Sequence, residues 1–78
     1  MIDISKLNDL QKKDYIALEN QCIAMRENGS SYYDIVCMLN DYIYELSETV
    51  SENYYISVCK LEQHYHDRYV NRELNKTR

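Results

Sequence analysis

The chain has 78 residues, with 13 Asp and Glu against 9 Lys and Arg for a formal net charge of −4, and it holds nine Tyr, one Gly and no Pro. This excludes collagen-like and Pro/Gly-rich disordered classes, while 45% apolar residues suffice for the small core of one domain. No apolar run approaches the length of a membrane span, and no cationic start followed by an apolar run marks a secretory signal.

The absence of Pro removes the strongest interior breaker of a helix. A first helix is predicted over residues 4–28, where Ile4, Leu7, Leu10, Tyr15, Leu18, Cys22 and Met25 fall within an arc of roughly 140° at helical spacing. Gly29, after Asn28 and before Ser30-Ser31, reads as the residue that ends it in the left-handed conformation. Ser31, with Asp34 three positions on, then caps a second helix over 31–47. Its stripe is Tyr32, Ile35, Val36, Leu39, Tyr42, Ile43 and Leu46, within about 120°. A weaker stop and start lies near Ser47–Glu52, where Thr49 and Glu52 have capping-box spacing. The third helix, over 50–74, buries Tyr54, Tyr55, Val58, Cys59, Leu61, Tyr65 and Tyr69, and residues 75–78 fray. Three one-sided stripes predict a single all-α domain over 1–78. It is a small three-helix bundle, or a helical hairpin plus a third helix, that self-associates to supplement a limited core.

Several residues lie outside these stripes. Ile16 and Ile23, one heptad apart, project opposite the main stripe of the first helix and suit a helix-to-helix seam for self-association. On the second helix Asp34, Asp41, Glu45 and Glu48 project within about 60° of one another, with Tyr33, Cys37 and Tyr44 in the adjoining sector. Six acids and no Lys or Arg separate Arg26 from Lys60, so these carboxylates lack lysine partners at i,i+4. Tyr beside unbalanced carboxylates is the pattern of a surface that meets a basic partner. A solvated polar face is the plainer reading of the same charges. The end of the chain is basic, with Arg68, Arg72, Lys76 and Arg78 against two acids from Asp67 onward. Cations at a helix C-terminus complement its dipole, and a phosphate-contacting tail is the other reading.

Little points to chemistry. His64 and His66 diverge by about 200° on a helix and cannot chelate one ion together. Glu62 and His66 have i,i+4 spacing, which is common in ordinary helices. Cys59 and His66 would lie roughly 10 Å apart along one helix, too far for a nucleophile and its base. There is no HExxH, GxSxG or Gly-rich loop. Cys22, Cys37 and Cys59 are odd in number and match no zinc spacing, which predicts reduced, mostly buried thiols in a cytoplasmic protein.

Two resemblances follow from particular residues. Residues 26–39, Arg-Glu-Asn-Gly-Ser-Ser-Tyr-Tyr-Asp-Ile-Val-Cys-Met-Leu, resemble the opening of a helix-turn-helix. The recognition helix it implies would carry Glu45, Glu48 and Glu52 and no Arg or Lys. Lys13-Asp14-Tyr15 with Cys22, then Tyr44-Glu45-Leu46-Ser47, then Tyr54-Tyr55, resemble the small helical Hha-type modulators of nucleoid proteins, which implies action through a partner protein. The sequence assigns the chain to neither family.

The favoured expectation is a non-enzymatic, cytoplasmic protein-interaction module with no cofactor and no metal. It would be a regulator, inhibitor or adaptor bound to a larger, locally basic protein, with nucleic-acid-handling proteins among the candidates. Tyr33, Asp34, Asp41, Tyr44, Glu45 and Glu48 would form its partner face and Ile16 with Ile23 its seam; neither nucleic acid nor a membrane would be the direct ligand. A small DNA-associated transcriptional regulator, and a subunit or chaperone of a larger assembly, are the alternatives.

Overall fold

A computed structural model describes residues 2–46 and 51–75. Three helices follow one another: α1 (Asp9–Glu27), α2 (Tyr32–Leu46) and α3 (Glu52–Tyr69), with a π-helical turn over Val70–Leu74. No strand occurs among the described residues; the β-favouring stretch Tyr54–Val58 lies within α3.

The α1 helix begins at Asp9 and not near residue 4, because Asn8 and Gln11 close a capping box. The Asn8 side chain accepts from the Gln11 amide at 2.8 Å, and the Gln11 side chain accepts from the Asn8 amide at 3.1 Å. The segment before it is a turn, closed by the Leu7 amide donating to the Ile4 carbonyl at 3.1 Å. Leu7 is buried there and Ile4 packs on the core, so both reach the interior without being helical. Leu10, expected in the stripe, is instead 68% exposed. It lies about 100° from the centre of the face formed by Tyr15, Leu18 and Cys22, in the first turn of α1.

Gly29 ends α1 as expected, at φ 92°. The Ser30 amide donates to the Met25 carbonyl and the Gly29 amide to the Arg26 carbonyl, at 2.9 and 3.0 Å, which is a Schellman motif. A Cβ at Gly29 would meet nothing within 4 Å, so the backbone angle and not space calls for glycine.

Ser31 and Asp34 cap α2 reciprocally, with 3.1 Å from the Asp34 amide to the Ser31 hydroxyl and 3.4 Å from the Ser31 amide to the Asp34 carboxylate. That leaves the Tyr32 and Tyr33 amides. Glu73, in the π turn, takes both, at 2.7 and 3.1 Å. The first-turn donors of a helix lack intrahelical acceptors, and a carboxylate there also complements the dipole. Arg26 braces the same corner. Its Nη1 donates to the Ser30 carbonyl at 2.8 Å, stands 3.9 Å from the Glu73 carboxylate, and its guanidinium sits 4.0 Å over the Tyr32 ring.

The α3 helix is capped by Ser51, whose hydroxyl accepts from the Tyr54 amide at 3.4 Å and from the Gln11 side chain at 2.8 Å. Ser51 thus does what the sequence suggested for Thr49, which lies outside the described residues. α2 makes its largest interface with α3 and packs more lightly on α1. Ile35 and Leu39 of α2, Val58 of α3 and Cys22 of α1 have no accessible surface. The Tyr42 and Tyr54 hydroxyls hydrogen-bond across α2 and α3 at 2.8 Å, and the Tyr33 and Tyr69 rings meet at 5.5 Å. These contacts, low-with-high in chain position, make α2 and α3 antiparallel, with the third helix of the bundle returning alongside the first.

Burial pushes the Cys22 thiol from its ordinary 9.0 up to about 11. It likewise raises Tyr15, Tyr54 and Tyr65, helped by Glu19 at Tyr15 and by the Tyr42 hydroxyl at Tyr54. The Tyr15 hydroxyl is buried and unpaired by any hydrogen bond. The folded chain therefore holds these protons more tightly than the unfolded chain. For Cys22 this stabilisation is complete below pH 9 and is lost as pH rises through about 11, and the tyrosines carry the loss to higher pH. A urea midpoint that is level through neutral pH should fall above pH 9, with phenolate absorbance rising in an early exposed and a late buried phase. Replacing the helix-capping carboxylate, Glu73→Ala, is expected to cost about 1–2 kcal/mol in urea unfolding, and Glu73→Gln less.

Candidate partner-binding surface

The stripe that packs α2 into the core fixes what its other side presents. Asp41, Tyr44 and Glu45 are spaced i, i+3 and i+4, so their side chains are neighbours on one face. All three are exposed, Tyr44 at 84%. Among the described residues Asp41 and Glu45 form no ion pair. Local sequence accounts for this, since α2 contains no Lys or Arg.

The other residues expected on this face are less uniform. Tyr33 is 53% exposed, but its ring leans on Tyr69 and its amide is held by Glu73. Its hydroxyl is raised above the ordinary tyrosine value, first by Cys37 beside it. Asp34 is exposed and committed to the α2 cap through Ser31. Glu48 lies outside the described residues. The structure thus gathers Asp41, Tyr44 and Glu45 into a compact acidic-aromatic group, while Asp34 and Tyr33 sit two turns away with structural duties.

Ile16 and Ile23 are 47% and 46% exposed, as a seam requires. Ile23 also walls a cleft between α1 and α3, which the sequence reading missed. One lobe, of about 360 Å³, is lined by Ile2, Ile23, Leu61 and Tyr65 with Glu19 and His64. A second, of about 260 Å³, shares Ile23, His64 and Tyr65 and adds Arg26, Glu27, Tyr32 and Arg68. Arg68 donates from Nε to His64 Nε2 at 3.1 Å. The His64 and Arg68 i,i+4 spacing was the available signal in the sequence, but only the packing of α1 beside α3 makes it part of a cavity.

Among the described residues no group of three or more His, Cys, Asp or Glu side chains could hold a metal ion. His66 sets its ring toward Tyr69. No helix is long and apolar enough to cross a membrane among the described residues. The helix α2 runs without a break through Asn40-Asp41, so the turn of a helix-turn-helix does not occur after Leu39. Comparison of the chain with protein-family profiles, curated proteins and solved structures finds no match.

All three cysteines are free, but burial differs from the expectation. Cys22 is buried, Cys59 half-buried and Cys37 exposed, because Cys37 shares the outward sector of α2 with Tyr33 and Tyr44. A thiol reagent at neutral pH is expected to label Cys37 first, Cys59 more slowly, and Cys22 only on unfolding; mass spectrometry of digests reads the order.

Proposed function

We propose that this chain is a small, non-enzymatic interaction module of the cytoplasm, a regulator, inhibitor or adaptor whose α2 face binds a basic surface of a larger protein. The observation that supports the reading is the group Asp41, Tyr44 and Glu45. Two carboxylates without an internal cation flank a tyrosine exposed over most of its surface. Such carboxylates speed encounter with a positive surface, and tyrosine supplies contact area at low conformational cost. The chain's net charge of −4 acts in the same direction. Three unpaired cysteines accord with a reducing compartment.

The test is affinity capture from the native host followed by kinetics with the captured protein. Asp41→Lys with Glu45→Lys is expected to reduce capture, slow association and flatten its salt dependence, with helicity by circular dichroism unchanged. Tyr44→Ala is expected to act mainly through faster dissociation. Capture unaltered by the double substitution refutes the reading.

A further inference from the structure

We propose that the cleft between α1 and α3 binds a carboxylate borne on a small apolar body, on a face distinct from Asp41 and Glu45. Its two lobes differ in character. Ile2, Ile23 and Leu61 give the first an apolar lining, and two arginines, Arg26 and Arg68, against one carboxylate, Glu27, give the second a net cationic one. The lobes share Ile23, His64 and Tyr65, so they lie side by side.

The two arginines are not equivalent. Arg26 is occupied by the Ser30 carbonyl, the Tyr32 ring and the nearby Glu73 carboxylate. Among the described residues Arg68 forms no ion pair; Glu27 lines the same lobe but does not pair with it. The Nε2 atom of His64 takes the Arg68 Nε donor. A guanidinium has five N–H donors in a planar fork, so this bond leaves its Nη groups to meet an anion. A carboxylate matches that fork, and charge-assisted bonds of this type are stronger than neutral ones.

The apolar lobe sets the rest of the ligand. Its volume of about 360 Å³ lies at the lower end for small-molecule sites. Glu19 also lines this lobe, one heptad from Arg26 and thus roughly 10 Å along α1. It repels a second negative charge there, so the ligand's carboxylate lies toward Arg68 and its hydrocarbon toward Ile2 and Leu61. Both a free aliphatic acid and the C-terminal residue of a peptide carry this chemistry.

The test titrates the full chain with octanoate, followed by amide chemical shifts and calorimetry. Saturable binding is expected, with shifts centred on residues 19–26 and 61–68. Acetate lacks the apolar body and octylammonium the negative charge, and neither should saturate. Arg68→Gln is expected to weaken octanoate about tenfold or more with helicity retained. Ile23→Asn, at a half-exposed position, should weaken it through the apolar arm. Acetyl-Ala-Ala-Leu with a free C-terminus, set against octanoate, distinguishes a peptide end from a free acid as the source. Octylammonium binding as well as octanoate, or Arg68→Gln binding as well as the parent chain, overturns the proposal. So does a dimer in light scattering that Ile23→Asn abolishes and octanoate leaves intact, because a second copy then fills the cleft.

Discussion

Ile35 and Leu39 on α2 meet Val58 on α3 with no surface left accessible to water, and this contact fixes the rotation of α2 about its own axis. Side chains on a helix advance by about 100° per residue, so once one stripe is buried the direction of every other residue follows. Asp41, Tyr44 and Glu45 face solvent for that reason. Close packing makes the rotation hard to change, since turning α2 would exchange buried aliphatic surface for carboxylates that have no partner. The exposed acidic-aromatic face and the core are two consequences of one periodicity.

The corner where α1, α2 and the π turn meet shows a different economy. Four polar elements converge on the start of α2: the Ser31 hydroxyl, the Asp34 carboxylate, Glu73 and, behind them, Arg26. Each satisfies a group that would otherwise be left without an acceptor or a counter-charge. Glu73 therefore ties the segment after α3 back to the middle of the chain, across 41 positions from Tyr32. In a bundle whose α1 packs more lightly than its other two helices, this polar clasp adds a link that apolar burial alone does not supply.

The chain thus divides its charge by location. Asp41 and Glu45 on α2 stay outside without an ion pair among the described residues, the acid of the π turn is consumed by a helix end, and Arg68 is drawn into a cleft with His64 as its neighbour. Net charge would not distinguish these fates. Arg68, in the last turn of α3, lines a cavity and Glu73 acts as a cap, so residues near in sequence take unrelated roles.

The three helices, the glycine stop at Gly29, the Ser31–Asp34 cap and the buried stripe of α2 could all be read from the amino-acid order. Each depends on groups within about one or two turns of one another, and local geometry is then sufficient. The outward position of Asp41, Tyr44 and Glu45 followed from the same arithmetic. The start of α1 was misjudged, because Ile4 and Leu7 keep helical spacing while the Asn8–Gln11 box begins a new phase after them; Leu10 was lost from the core with it. The Glu73 cap and the cleft of Ile23, His64 and Arg68 belonged to the tertiary structure alone. They arise where separate helices cross, and the angle and depth of a crossing are settled by the packing of all three stripes together, which no single helix encodes.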